Sequence, residues 1–488
     1  MVYSVTEFVS VILSSMKHIS IPHELKKMNE LFVANGFEAY LVGGAVRDVL
    51  LKKEASDWDV ATNATPEEVM RIFHHVIPTG IAHGTVTVLF LKKKVEVTTY
   101  RTEAGYSDGR HPDSVQYAAS IEDDLSRRDF TMNAIAASLS DGRILDPFGG
   151  EKDIKNACIR TVGQALDRFM EDGLRPVRAI RFSAQLGFCI ENETARAISL
   201  PDVQKKIQGV SIERFRDEFD KMLLSKKPSR ALHELEKCGL LAFFIPELAS
   251  GRGATQQDIR GFHEYDVLDH NVYACDGAPA ENLLVRLAAL FHDVGKTGTR
   301  TVEKRVLETG AAGKTVELIH FHGHEALSAT LTRTILSRLK YPNAVIDHVC
   351  HLIKEHMFHY ESTWTDAAIR RFIVRVGKKN VDDLFALRLA DIYGMHQKPL
   401  DALSETARLL LELKERIQIE NQRGTAVSLK ELAVNGDDLL ELGFPKGRCI
   451  GLVLKELFQC VLDDPAMNTR EALLRVAQSR LSVIASNL

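Results

Sequence analysis

Two acids one residue apart, Asp57 and Asp59, follow the turn Gly43-Gly44-Ala45-Val46-Arg47-Asp48, and no other feature constrains this chain as much. In a strand, residues at i and i+2 point to the same face. Like charges held that close repel each other, so the pair calls for a cation beside it. Oxygen ligands of this kind suit Mg²⁺, which keeps several waters and accepts phosphate oxygens. Glycines just upstream let backbone N–H groups approach a phosphate. An Asp-x-Asp alone also describes a solvated pair near a turn. The Gly-Gly step and Arg47 shift the reading toward a metal-dependent nucleotidyl-transfer site.

At 488 residues the chain is too long for one ordinary domain. A formal net charge of −4 excludes a globally basic nucleic-acid binder, so any such contact uses local basic patches. The seven cysteines are scattered, odd in number and without a C-x-x-C, which favours reduced thiols in a cytoplasmic protein over a disulfide framework or a cysteine zinc site. Met1 to Ser20 reads as an amphipathic helix rather than a signal peptide. No uninterrupted apolar run reaches ~18 residues, so no membrane span is expected.

From about Ala39 to Pro147, helix mixes with strands. The runs Ala39–Val42, Trp58–Ala61, Thr85–Leu91, Val95–Thr99 and Arg143–Asp146 are apolar, β-branched or alternating, as strands require. Thr65-Pro66-Glu67-Glu68 combines an N-cap, a first-turn proline and first-turn acids, so a helix starts there. Beyond Gly149-Gly150 the pattern is almost wholly helical. The expected architecture is a small α/β head followed by an all-helical body.

Four further stretches bear on the head. They are Leu41-Val42 leading into Gly43–Asp48, Ser126-Arg127-Arg128-Asp129-Phe130-Thr131-Met132-Asn133-Ala134, Asp146-Pro147-Phe148-Gly149-Gly150, and Glu171-Asp172-Gly173-Leu174-Arg175-Pro176-Val177-Arg178-Ala179-Ile180-Arg181-Phe182. In order and spacing, with Asp57-Trp58-Asp59, they resemble the class II tRNA nucleotidyltransferase and bacterial poly(A) polymerase family, from about Ala39 to Leu248. The resemblance implies an α+β fold with a DNA polymerase beta-like nucleotidyltransferase head, a mixed sheet with helices. It implies Asp57 and Asp59 as catalytic Mg²⁺ ligands, with Gly44, Arg47 and Arg128 on the triphosphate. Glu96, within Val95-Glu96-Val97, is either a third carboxylate or an outward strand residue.

Asp172 and Arg175 are expected at i and i+3 on one helix, side chains adjacent. Ionised Asp only accepts and Arg only donates. Cytosine and adenine both present an amino donor beside a ring-nitrogen acceptor, which such a pair complements. Uracil and guanine present the reverse and leave buried polar groups unpaired. CTP and ATP are thereby selected without a template. Arg178 and Arg181 continue the series toward the nucleotide, with Arg181 drifting furthest from Asp172 around the helix. Pro176 departs from the family pattern and fits a helix that begins near Arg175.

The segment from Thr99-Tyr100-Arg101-Thr102-Glu103 to Gly109-Arg110-His111-Pro112 resembles the flexible loop of enzymes that add the terminal adenosine. This favours CCA addition to the tRNA 3′ end from CTP and ATP, with A-only addition and poly(A) synthesis as rivals. Further along, His270, His292-Asp293-Val294-Gly295-Lys296, His324, His356 and Asp391 resemble the HD phosphohydrolase superfamily. The resemblance implies His270, His292, Asp293 and Asp391 as ligands of a second divalent transition metal such as Mn, Fe or Ni, with His324 and His356 in the pocket and His320, His322 and His351 as bystanders. Removal of a phosphate from damaged RNA ends is a task such a site would suit. The alternatives are a decayed helical domain kept for tRNA binding, a phosphohydrolase with an RNA-binding head, and a non-catalytic RNA-binding protein.

The expected division is a head at 23–150, a helical nucleotide-recognition neck at 151–255, an HD-type helical domain at 256–400 and a helical tRNA-binding tail at 401–488. Gly443-Phe444-Pro445-Lys446-Gly447-Arg448 resembles the tRNA-binding region of bacterial CCA-adding enzymes, and puts positive charge at a helix entry. Lys92-Lys93-Lys94 and Lys226-Lys227-Pro228-Ser229-Arg230 read as solvated surface runs.

Overall fold

The strand runs around the acid pair assemble into one sheet in a computed structural model, which describes residues 18–54, 57–104, 114–258, 261, 263–307, 314–424 and 428–486. Most of the helix expected over Met1–Ser20, and residues 105–113 of the adenosine-associated loop, lie outside the described residues. The chain divides into two compact units, Met1–Leu240 and Leu241–Leu488.

In the first unit the strands are β1 (Ala39–Val42), β2 (Trp58–Thr62), β3 (Val76–Gly80), β4 (Thr85–Phe90), β5 (Lys93–Thr99), β6 (Arg101–Ala104), β7 (Ser114–Tyr117), β8 (Ala136–Ser138) and β9 (Ile144–Leu145). Seven of them form a mixed sheet in the order β3-β4-β5-β2-β1-β8-β9, while β6 and β7 pair separately. Within the large sheet β2 and β5 are parallel, and the other neighbours run antiparallel. Val60, Val86, Val88, Val95 and Val97 are buried, as alternation demands of a half-buried sheet. The helix His23–Ala34 closes one face with Leu25, Met28 and Phe32, and Phe32 meets Phe73 edge-on at 5.1 Å. Each such buried aromatic contributes roughly 1.5–3 kcal/mol through area alone.

The helix predicted after Thr65 forms at Pro66–Ile72 with a full capping box: Glu68 N–H donates to Thr65 Oγ1, and Thr65 N–H to Glu68 Oε2. Beyond the sheet, the helices Ala165–Glu171, Leu174–Leu186, Ile212–Leu223 and Pro228–Lys237 pack together, the second resting on the last two. Pro176 stands in the first turn of Leu174–Leu186, where its missing N–H has no helical partner to lose.

Among its described residues the second unit is helical apart from one hairpin. Thr301–Leu307 and Lys314–His320 pair as an antiparallel hairpin. Glu303-Lys304-Arg305 interrupts any apolar alternation between Val302 and Val306, so the strand carries little sequence signal. Helices Val267–Gly277, Leu283–Phe291, His324–Arg338, Asn343–Glu355 and Val381–His396 gather around the histidines. In the tail, Asn435 caps its helix reciprocally with Asp438, and Leu439, Phe444, Leu457 and Leu473 close a small core. No helix among the described residues is long and apolar enough to cross a membrane.

Candidate active site and candidate metal centre

Strand β1 delivers the chain into Gly43, whose φ of 70° a side chain would strain. A Cβ there would also stand 2.9 Å from an Arg128 guanidinium nitrogen. Glycine thus lets the helix Gly44–Leu50 start hard against Arg128. Asp57 and Asp59 flank Trp58 at the entry to β2, and Glu96 on β5 pairs in register with Asp59. Register partners on parallel strands share a face, so Glu96 joins the acid pair rather than pointing away. Burial raises the pKa of the Asp59 carboxyl; Arg128 opposes this, while Glu96 and Asp57 push it further up. Three carboxylates so placed, one of them reluctant to ionise, form a donor set that fits a divalent cation.

These residues open on a cavity of about 1120 Å³. Gly44, Arg47, Arg128, Asp172, Arg175, Arg178 and Arg181 all line it, so every nucleotide-contact residue expected from the sequence reaches one space. Arg47 is buried and held from both sides: Nε and Nη2 donate to Asp48 Oδ1 at 2.9 Å, and Nη1 to Asn133 Oδ1 at 2.8 Å. Asn133 in turn donates to Asp129 at 3.1 Å, and Arg178 Nε donates to Asp129 at 2.8 Å. Burial alone would raise Asp129, but Arg178 and Asn133 outweigh it and hold the carboxyl down at about 2. Arg128 is steadied by Asp124, which Arg127 also contacts. Burial lowers Arg181 to about 10 despite its ion pair with Glu218 at 2.6 Å, and its guanidinium stacks 3.7 Å from the Phe182 ring centroid.

One expected placement is corrected. Asp172 and Arg175 do not lie on one helix. Asp172 is extended (φ −137°, ψ 114°) at the break between Ala165–Glu171 and Leu174–Leu186. Next to it Gly173 admits no side chain, since a Cβ would meet the Lys206 carbonyl oxygen at 2.5 Å. Asp172 accepts from Leu174 N–H at 2.9 Å and from Arg214 Nη2 at 2.7 Å. Arg175 pairs with Glu171 and donates to the carbonyls of Arg168 and Arg127 at 3.2 and 3.1 Å. The two side chains line the same cavity but are not each other's partners. Arg214 and Glu171, which hold them, were not singled out from the sequence. Arg214 sits on an amphipathic helix with no motif around it, so only the fold exposes its role.

In the second unit, His270, His292, Asp293 and Asp391 converge as expected, all buried. His270 Nε2 stands 3.1 Å from His292 Nε2, 3.2 Å from Asp293 and 3.3 Å from Asp391. His292 Nε2 is 3.3 Å from Asp293 and 3.5 Å from Asp391. His324 and His356 approach the other oxygen of Asp293 at 3.2 and 3.8 Å. The tautomers decide what this cluster can hold. The Nδ1 atoms of His292, His324 and His356 bond the backbone carbonyls of Ala289, Phe321 and Ile353 at 2.8, 2.7 and 2.6 Å. A carbonyl only accepts, so each Nδ1 carries a proton and Nε2 is the ring atom left to face the cluster. Burial, with His292 beside it, pushes His356 down to about 3, which keeps that ring neutral. Imidazole nitrogens gathered with carboxylates fit a transition-metal ion, and the carbonyl contacts are the outer contacts that such ligands carry. The cluster borders a cavity of about 450 Å³ that His320, His322, Lys296 and Arg388 also line. His320 and His322 therefore belong to the cavity wall, contrary to the bystander reading, because the hairpin carries them there. His351 points instead to the Val376 carbonyl at 2.7 Å.

The head fold with its carboxylates and arginine-lined cavity defines a nucleotidyltransferase. Residues 39–160 match the family described as the Poly A polymerase head domain, and residues 321–477 match tRNA nucleotidyltransferase domain 2. A CCA-adding enzyme of Lactobacillus johnsonii is 32% identical over 461 residues, covering 92% of this chain and 94% of that one. One of Enterococcus faecalis is 32% identical over 471 residues, covering 96% and 99%. The crystal structure of Bacillus stearothermophilus CCA-adding enzyme in complex with CTP superposes with a TM-score of 0.71 at 29% identity, covering 95% of this chain and 98% of that one. The chain belongs to the family of CCA-adding enzymes, the tRNA nucleotidyltransferases.

Proposed function

We propose that this protein adds C, C and A in turn to the 3′ end of tRNA, taking CTP and ATP and using no nucleic-acid template. The observation that carries the reading is the meeting of Asp57, Asp59 and Glu96 with an arginine-lined cavity that also holds Asp172 and Arg175. In the reaction the RNA 3′-oxygen forms a bond to the α-phosphorus, the bond to the β-phosphate bridge breaks, and pyrophosphate leaves. Asp57 and Asp59 would hold Mg²⁺, which would supply neutralisation of the charge that develops in the transfer. Arg128, the Gly44 backbone and Arg47 orient the triphosphate, and Arg47 is stiffened for this by Asp48 and Asn133. Asp172 and Arg175 read the base edge, each pre-set by its own partner. Arg178 and Arg181 complete the cationic wall. The four-part division at 150, 255 and 400 gives each step its own region, and the reading suits a cytoplasmic enzyme.

The test is incubation with tRNA lacking its 3′ end, Mg²⁺ and labelled CTP, ATP or both. Addition of C, C and A followed by a stop is the expected result. A single A on tRNA ending in CC, with no C incorporated, indicates an A-adding enzyme, and long A tails indicate a poly(A) polymerase.

A second reading is favoured by the inward Nε2 atoms of the histidine cluster. His270, His292, Asp293 and Asp391 hold a divalent transition metal, whose Lewis acidity serves hydrolysis of a phosphoester. Lys296 and Arg388 on the cavity wall balance the substrate's negative charge. A terminal or cyclic phosphate on a damaged RNA end is the proposed substrate, and its removal frees the hydroxyl that the head extends.

A further inference from the structure

The run Lys92-Lys93-Lys94 has no part in the reaction as described. The structure sets it at the β4–β5 turn, on the wall of a second cavity of about 480 Å³. That cavity is lined by Asp57, Trp58, Asp59 and Glu96 together with the three lysines. It shares the three carboxylates with the nucleotide cavity but none of its arginines. The two spaces meet at the transfer centre.

Backbone geometry holds the lysines there. Phe90 and Lys93 are the last register pair, so Leu91 and Lys92 form a two-residue turn, with φ of 46° and 65°. Both angles are left-handed, and β4 and β5 keep the turn tight on either side. Trp58 pairs with Val95, so the β2–β5 register carried back one residue sets Lys94 beside Asp57. All three lysines are exposed. Unlike the arginines of the nucleotide cavity, none of them forms an ion pair or side-chain hydrogen bond with a described residue. Free ammonium groups in a walled space attract an anion. In complexes with single-stranded nucleic acid, such cations track the backbone.

Which anion follows from the reaction's geometry. Attacking and leaving oxygens stand roughly in line across the transferred phosphorus. Arg47 and Arg128 place the departing pyrophosphate in the nucleotide cavity, so the attacking strand approaches from the other side of the carboxylates. We infer that the lysine-walled cavity receives the single-stranded 3′ end of the acceptor RNA. Lys92, Lys93 and Lys94 contact its backbone phosphates. The inference rests on Asp57 and Asp59 being the transfer centre.

The test compares the full chain with a Lys92→Gln, Lys93→Gln, Lys94→Gln variant, using tRNA lacking only its terminal A and measuring ATP addition across a salt series. The KM for tRNA is expected to rise roughly tenfold or more, with the salt dependence flatter by about 0.7 in log–log slope per lost contact, since each contact releases counterions. The kcat and the KM for ATP stay the same. A triple Lys→Arg variant restores tRNA affinity, which separates charge from damage to the turn. An unchanged KM for tRNA, or a rise confined to the KM for ATP, overturns the inference. Asp57→Ala run in parallel keeps the two readings apart. If that variant turns over normally, the transfer centre itself is misassigned. If it is inactive and the lysine variant binds tRNA normally, only the assignment of this cavity fails.

Discussion

Glu96 lies directly across from Asp59 on the parallel neighbour strand, and its charge helps to raise the Asp59 pKa that burial has already lifted. If the acid pair holds a cation, a carboxylate so placed is within reach of the same ion. Glu96→Gln is expected to reduce the rate of nucleotide addition about ten- to hundredfold, the range seen when a metal's supporting ligands are lost. The Mg²⁺ concentration for half-maximal rate rises as well. Glu96 is exposed, so the melting temperature stays within a few degrees. Initial rates over a Mg²⁺ titration check this, and an unaltered titration curve returns Glu96 to an ordinary strand residue.

Asp172 and Arg175 reach the nucleotide cavity from different supports, Arg214 for one and Glu171 for the other. If the pair reads the base edge, Asp172→Ala leaves the amino group of cytosine or adenine without its acceptor. An unmade hydrogen bond of that kind costs about 1–3 kcal/mol, or roughly ten- to hundredfold in kcat/KM for CTP and ATP. Discrimination against UTP and GTP narrows by a similar factor. Arg214→Ala frees Asp172 without removing it and should show a smaller loss of the same kind. Equal selectivity in wild type and Asp172→Ala, measured by competition between the four nucleotides, would remove both residues from base selection.

What the sequence disclosed depended on how local each signal was. Asp57, Asp59 and the strand around them follow from alternation and a turn, and both survive unchanged in the structure. The histidine cluster was readable as an ordered set because each ligand type is rare and chemically distinctive. Strand β8 was not readable, since Ala136-Ala137-Ser138 has no β preference and forms only because β1 and β9 flank it. The break at Asp172 escaped for the same reason. Helical spacing put Asp172 and Arg175 together, but Asp172 is extended and held by Arg214, distant in sequence. Arg214 as the partner of Asp172 is likewise a tertiary fact.

Asp129 gives the pocket a measurable acid limit. Its folded pKa is about 2, below the ordinary aspartate value, because Arg178 and Asn133 outweigh the burial that would raise it. A depressed carboxylate stabilises the fold above its unfolded pKa, and that contribution fades as pH falls through the folded value. The window is therefore about pH 4 down to pH 2, and the amount on the order of 2 kcal/mol. Asp129→Asn loses this contribution at neutral pH and so shows a shallower decline in stability across that window. Denaturant unfolding of the two proteins at pH 7, 4 and 3 measures the difference, which should shrink as the pH falls. A constant difference would mean that Asp129 acts through packing rather than charge.

The histidine cluster makes a prediction independent of nucleotide addition, because its residues fall in the other compact unit. Three inward Nε2 atoms are fixed by backbone carbonyls, and Asp293 and Asp391 are held well below the ordinary carboxylate range despite burial that would raise them, by His292 and Lys296 at Asp293 and by His270 and His292 at Asp391. Carboxylates and imidazoles gathered this closely should bind a transition metal in place of the protons that the rings share with the acids, without rearrangement of the fold. Protein purified and then loaded with Mn, Fe or Ni is expected to retain about one ion per chain through gel filtration, as measured by elemental analysis. His292→Ala and Asp391→Ala should each lower affinity by more than the roughly ten- to hundredfold that loss of an outer partner costs, while CCA addition stays near the wild-type rate. Hydrolysis of a 2′,3′-cyclic nucleotide or a terminal phosphate should fall in parallel with metal content. Phosphatase activity that persists in His292→Ala, or a metal content the variants do not change, would leave these helices with a structural role alone.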